Sequence, residues 1–376
     1  MMFVVKNGNV YTPDPVGKKD LLIGGGKILA IEERIELPSG LAEVVDAQGK
    51  IITPGLIDQH IHLTGAGGKY AFASMTPEIN VDELVACGTT TVVGLLGTDG
   101  VTHSLQALYA KVKALEQQGI SAYMLTSNFG YPPRTMLESV LEDIVFIDKV
   151  IGCKIAISDE RGSFPTENEL LKLLREVHVG GMLAGKGGIL HIHLGGLETR
   201  MDILLNLVKI HHFPIRHISP THVGRTKELF EQAIEFAKLG GMIDISTGGT
   251  KFDMPHKQVL YALKKQVPIE NITFSSDGNA GMAKNGENAE LILYKAPVDL
   301  NLKQVILLIQ EGGMPIGDAF KLITTNPARN LSLKHKGKIS VGCDADLCFF
   351  NSDFVLTDVF SKGKKLMTNR KLITNH

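Results

Sequence analysis

Short apolar runs rich in β-branched residues recur through the middle of the chain. They are GLIDQHIH (55–62), TTTVVGLLG (89–97), SAYMLT (121–126), CKIAIS (153–158), GILHIHLG (188–195), IRHISPTH (215–222), MIDIST (242–247) and ITFSSD (272–277). Between most of them lie segments with apolar residues at i, i+3 and i+4. LFEQAIEFAKLGG (229–241), closed by glycine, is the cleanest, and ENELLKLLREV (167–177) and DMPHKQVLYALKKQ (253–266) are others. Eight strands alternating with helices predict a (β/α)8 TIM barrel. A doubly wound open sheet competes with it, but the count of eight favours closure.

The two ends have a different rhythm. FVVKNGNVYTP, DLLIGGGKILAIEE and AEVVDAQGKIITPG read as short strands, with hairpin turns predicted at Asn7-Gly8 and at Gly24-Gly25-Gly26. GGGK is no phosphate loop, because neither Ser/Thr nor a helix follows it. The C-terminal GKISVGCDADLCFFNSD and FVLTDVFSKGKKLMTNRKL resemble the N-terminal strands in character. Strands with one buried face need a partner sheet, so both ends are expected to meet in a small composite β-sandwich. The predicted division is 1–52 with 337–376 for the sandwich and 53–336 for the barrel.

Composition narrows the function. The 376 residues are 44% hydrophobic and 21% charged, with a formal net charge of -1, ordinary for a globular enzyme. Without a positive field or a basic run, a nucleic-acid partner is not expected. No apolar stretch approaches the ~20 residues that span a bilayer, so no membrane association is expected either. The opening MMFVVKNGNVYTPD has too short an apolar core for a signal peptide, and the expected location is cytoplasmic. Cys87, Cys153, Cys343 and Cys348 are scattered without CxxC spacing and read as buried reduced thiols.

The barrel reading says where to look for chemistry, because active sites of such barrels lie at the C-terminal ends of the strands. Strand one ends with His60-x-His62, strand five with His191-x-His193, strand six with His222 and strand eight with Asp277. Residues i and i+2 of a strand share a face, so His60 and His62 can address one point on the axis. A lone histidine of this kind is more often a satisfied core residue than a ligand. Four strand ends converging with histidine or aspartate instead predict a metal site.

PGLIDQHIH, Lys154 in VIGCK on strand four, the histidines closing strands five and six, and SSDG on strand eight together resemble the amidohydrolase superfamily. GLIDQHIHL, VVGLLGTD, VIGCKIAISDER, SPTHVGR, LFEQAIEFAKLGG and FSSDGN are similar to the bacterial isoaspartyl dipeptidases within it, and GxDADL resembles part of the terminal β domain. The resemblance implies a centre of two divalent metal ions, zinc being the first expectation. His60, His62 and Asp277 would hold one ion and His193 and His222 the other. Lys154, carboxylated by CO₂, would bridge them. A free lysine is protonated near neutrality and a poor ligand, which is why the carboxylation matters. Spacing alone leaves His191 and His193 equivalent; the resemblance selects His193 and leaves His191 as an interior neighbour. Mn²⁺, Co²⁺ or Ni²⁺ suit the same donors. The resemblance also implies a homo-oligomer.

Two ions so placed would activate water against an amide carbonyl, with Asp277 moving its proton to the departing amine. Arg161 in SDERG and Arg225 in THVGR have the fork that clamps a carboxylate, an ion pair with a neighbouring acid being the plainer alternative. By resemblance both would bind the substrate's free carboxylate, Thr98 would line the pocket, and the GAGG loop (65–68), Gly67 included, would lie against its polar head. Three positions depart from the dipeptidase pattern: Lys69 stands where a glutamate receives the α-ammonium, Phe129 where a tyrosine polarises the carbonyl, and Gly281 where a serine follows the aspartate. Tyr131 and Glu78 are candidate replacements for the lost hydroxyl and carboxylate. A lysine repels an ammonium, so the expected substrate is an acidic amide or dipeptide, N-acylated or deaminated in preference to free. The alternatives are a cyclic-amide hydrolase of dihydroorotase or hydantoinase type and an N-acyl amino acid amidohydrolase. The loop GGTKFDMPHK (248–257) is a candidate lid.

Overall fold

The computed structural model describes residues 2–68, 70–285 and 290–373. Eight parallel strands form the central sheet: β1 (Leu56–Ile61), β2 (Thr89–Gly94), β3 (Ser121–Thr126), β4 (Val150–Ile157), β5 (Ile189–Leu194), β6 (Ile218–Thr221), β7 (Ile243–Ser246) and β8 (Ile272–Ser275). They are hydrogen-bonded in chain order. A parallel bridge between Ile61 and Gly278 joins the outer two, so the sheet curls round as a (β/α)8 barrel. Every residue of all eight strands except Tyr123 is buried, as both faces of a parallel sheet demand.

The helix at Lys227–Lys238 shows how the sequence pattern becomes packing. Thr226 caps it by accepting from the Leu229 N–H, and its buried stripe is Leu229, Phe230, Ala233, Ile234, Phe236 and Ala237. Such a stripe recurs at i, i+3 and i+4 because a helix turns once in 3.6 residues. The predicted helices at 167–177 and 253–266 are observed as Glu167–Ala184 and Pro255–Lys264.

Both termini contribute to one nine-stranded sheet, in which Ile51–Pro54 pairs with Met2–Tyr11 on one side and Leu347–Phe350 on the other. Two strands separate Met2–Tyr11 from Leu356–Ser361, a gap of roughly 14 Å in a flat sheet. The rings of Phe3 and Phe360 are nevertheless 5.5 Å apart. The sheet therefore folds over on itself, enclosing Val5, Leu21, Ile23, Leu347 and Phe349.

One turn expectation is corrected. Asn7-Gly8 makes no hairpin: Met2–Tyr11 runs straight through it, and the pairing steps from Val5↔Leu21 to Gly8↔Lys19 with one residue extra. This is a β-bulge, with Asn7 at φ 59°. Its backbone N–H donates to Asp20 and its amide to Asp46, both at 3.0 Å, so side chains rather than a turn absorb the left-handed residue. The glycine triplet does turn the chain, with Gly25 and Gly26 at φ 59° and 80°. All four cysteines are free and buried. No helix among the described residues is long and apolar enough to cross a membrane.

Candidate metal centre

The strand ends bring the six expected ligands together in one chain of neighbours. Nε2 of His60 and of His62 each lie 3.3 Å from Oδ1 of Asp277, and Lys154 Nζ lies 3.1 Å from His60 Nε2. The ring of His222 is 4.9 Å from that of His60 and 4.5 Å from that of His193. His193 also faces Asp159, whose Oδ2 is 3.0 Å from its Nε2. The register explains the convergence: His60 and His62 leave β1 on one face, and β8 lies beside it to carry Asp277.

Two of these residues sit in strained backbone. His222 and Asp277 have φ of 62° and 51°, a region costing a non-glycine residue about 1–3 kcal/mol. Neighbours fix both turns. The His222 ring meets the Ser246 hydroxyl, the Gly278 N–H donates to Ser276 Oγ at 2.8 Å, and the His62 N–H donates to the Gly278 carbonyl at 3.0 Å. Asp58 ties the strands together beneath them by accepting from the N–H groups of His60 and Ser276, each at 3.2 Å.

Electrostatics suit a cation. Burial holds His60 and His193 down to about 3, and holds His62 and His222 below the ordinary imidazole value as well. They are neutral at physiological pH, as a ligand must be. Burial would raise Asp277, but the imidazoles facing it, His222 first and then His60 and His62, outweigh that and hold the carboxyl well below its usual range. Lys154 is wholly buried, and that burial lowers it to about 7. His222 Nε2 is buried with no hydrogen-bond partner, an expensive state unless something else takes its lone pair. Donor atoms of His60, His62 and Asp277 all lie within 4.8 Å of one another. The set fits divalent cations.

A cavity of about 150 Å³ opens over the cluster, bordered by Gly67, Thr98, Phe129, Arg161, Arg225 and Gly281 among others. Lys69 lies outside the described residues. Phe129 is buried, its ring 4.3 Å from that of His193 and 5.2 Å from the Arg161 guanidinium. The Arg161 fork is partly spent: Nε and Nη2 donate to the two oxygens of Asp159 at 2.8 and 2.6 Å, leaving Nη1 at 3.4 Å from Thr98 Oγ1. Arg225 donates from Nε to the Leu194 carbonyl at 2.7 Å, and its Nη2 is 3.4 Å from His193 Nε2. The plain ion pair and the pocket position therefore coexist in Arg161. A side chain at Gly281 would start 3.0 Å from Gly67 Cα, too close without movement. Tyr131 and Glu78 are not among the lining residues, and Glu78 pairs with Lys111 at 2.9 Å. Gly249 and Thr250 bring the 248–257 loop to the rim. Asp159 was overlooked in the sequence, although it stands two residues before Arg161 where β4 ends.

A barrel with neutral histidines, a buried lysine and an ionised aspartate converging at its strand ends has the layout of a hydrolase able to hold a cation there. The chain belongs to the amidohydrolase family, whose profile matches residues 51–366. It is similar to the β-aspartyl dipeptidase of Fervidobacterium islandicum, solved with a β-Asp-Leu dipeptide: 38% identity, TM-score 0.93, covering 100% of this chain and 99% of that one. It is also 32% identical over 162 residues to the dihydroorotase of Listeria monocytogenes, but that match covers only 41% of this chain and 37% of the relative. The adenine deaminase of Clostridium perfringens is 26% identical over 98% of this chain and 59% of its own length.

Proposed function

We propose that this protein hydrolyses the amide bond of an acidic amide of β-aspartyl type at a centre of two divalent cations. His60, His62 and Asp277 would hold one cation and His193 and His222 the other, with carboxylated Lys154 between them. Bound there, the ions would supply Lewis-acid activation of the carbonyl and lower the pKa of water towards neutrality. Lys154 suits its part because burial leaves much of it as free amine near pH 7, the form able to add CO₂. Asp277 takes the proton of the attacking water and gives it to the departing amine, a group that leaves poorly as an anion.

The observation that carries the reading is the pair Arg161 and Arg225 bordering the same small cavity as His62, His193 and Asp277. Two guanidiniums beside the cluster suit a substrate with a free carboxylate. The match to the Fervidobacterium dipeptidase over the whole chain supports the β-aspartyl class. The free-amine form is disfavoured. Lys69 replaces the glutamate, and the lining carboxylates among the described residues are Asp99 and Asp277. Asp99 is already occupied by Val101, Thr102 and His103. We therefore assign N-acylated or deaminated β-aspartyl amides as preferred substrates. The partial match to a dihydroorotase favours a cyclic amide as the second reading.

The test is kcat/KM for β-aspartyl-leucine, its N-acetyl form and succinyl-leucine, beside dihydroorotate and hydantoin, with metal content measured on the same sample. Higher values for the acylated or succinyl compounds are expected. Preference for the free amine would overturn the assignment, and turnover confined to the cyclic compounds would replace it by the second reading.

A further inference from the structure

His60 differs from the other ligand candidates in what stands behind it. His193 leans on the Asp159 carboxylate and His222 on the Ser246 hydroxyl. Nδ1 of His60 instead lies 2.9 Å from Nε2 of a second buried imidazole, His191. A bond between two ring nitrogens carries one proton, and its direction decides what His60 can do. If His191 donates, a neutral His60 bears its proton on Nε2 and offers the cluster no lone pair. If His60 donates, Nε2 is bare towards Asp277 and Lys154, and a neutral His191 bears its proton on Nδ1.

The surroundings of His191 permit the second arrangement. Its Nδ1 is 3.2 Å from Ser219 Oγ, and a hydroxyl accepts as well as it donates. Behind Ser219 the order is fixed. Asn330 Nδ2 donates to Ser219 Oγ at 3.0 Å and to Gln59 Oε1 at 2.9 Å, and Gln59 Nε2 donates to Asp244 Oδ1 at 2.8 Å. Asp244 also receives the hydroxyls of Thr221, Thr273 and Ser275, a set of donors that suits a carboxylate and so orients both amides. The chain behind His191 is thus buried and polar, built from four strands and the helix at Thr325–Asn330.

We infer that His191 is a positioning residue: it accepts the proton of His60 Nδ1 and holds His60 in the tautomer whose Nε2 can bind a cation. An uncharged imidazole does here what a carboxylate or carbonyl usually does behind a ligand histidine. The centre gains orientation without gaining negative charge. This inference rests on the cluster being a metal centre.

Zn²⁺ titrated into the metal-stripped full-length protein, with bicarbonate present, tests it. His191→Phe keeps a ring but cannot accept, whereas His191→Gln places a carbonyl oxygen near the position of Nε2. The phenylalanine variant should bind zinc about 10–100-fold more weakly than wild type, and the glutamine variant should recover most of that loss. Equal losses in both would assign His191 to packing and overturn the inference. So would a His191→Phe protein with wild-type affinity. A wild-type protein that takes up no zinc would remove the metal reading and this inference together. Should the variants not fold, ¹⁵N NMR of zinc-loaded wild type decides: His60 and His191 are each expected to be protonated on Nδ1, and His191 protonated on Nε2 would refute the assignment.

Discussion

Replacing Asp277 by asparagine separates what this residue holds from what it does. Its Oδ1 lies 3.3 Å from two histidine nitrogens, and an amide oxygen of the same shape can occupy that place. The left-handed turn at φ 51° is tolerated by asparagine about as well as by aspartate. Fold and stability should therefore change little, and the four histidines and Lys154 should keep most of the bound metal. Proton transfer is different, because a carboxamide neither takes a proton from water nor hands one to an amine. General acid–base groups contribute about 10²–10⁴-fold, which is about 2.7–5.4 kcal/mol of barrier.

Two measurements on one sample decide the matter: metal per chain by elemental analysis, and kcat on the best substrate of the amide series. The expected pair is near-normal metal with kcat lower by two to four decades. A metal-replete Asp277→Asn protein turning over within tenfold of wild type would refute the proton-carrying role. A protein that loses metal and activity together would show that Asp277 acts chiefly by holding the ion.

A methyl at Gly97 would start 3.1 Å from His62 Cε1, so Gly97→Ala should weaken zinc binding measurably, read by titration, while the far-ultraviolet circular dichroism stays unchanged. Gly281→Ser meets Gly67 Cα at 3.0 Å; restoring the serine of the dipeptidase pattern alone should lower kcat/KM rather than raise it, and a gain would show that the loop yields. Arg225→Met should raise KM for carboxylate-bearing amides at least tenfold, and an unchanged KM would remove this arginine from the clamp. Lys336 is buried between Asp344 and Asp346, 2.7 and 2.6 Å away, and Lys336→Met should cost about 3–5 kcal/mol, because buried Asp346 loses its cation and Asp344 keeps only Lys27. Asp344 is held low, for burial would raise it but Lys336 and Lys27 outweigh that, so its share of stability is present above the ordinary carboxylate pKa and fades as pH falls through its lowered value. Lys336 is held high, its two aspartates outweighing burial, so its share is lost only above the ordinary lysine pKa. The Tm gap between wild type and variant should accordingly be widest near neutrality and narrow below about pH 4.

Strands were the most legible feature of this chain, and the reason is physical. A barrel strand is buried on both faces, so each appears as a dense apolar run, and any polar residue in it must have a use. His60, Lys154, His191 and His193 stand out against such a background. At the N-terminus the same logic misled. Asn7-Gly8 between apolar runs matches a tight turn, yet the residues that make it a bulge, Asp20 and Asp46, come from other parts of the sheet. Arg161 shows the same limit nearer the site. Its charge and position suggested a substrate clamp, while the partner that occupies one edge of its fork, Asp159, became relevant only once β4 and β5 lay side by side with His193. The chain Gln59–Asn330–Ser219–His191 could not be read at all. Its members are ordinary polar residues from distant segments, and only burial, which forces each polar atom to find a partner, turns them into one support behind His60. What a sequence shows of a site is the residues that break a pattern; what holds them in place obeys the pattern and becomes visible only in the fold.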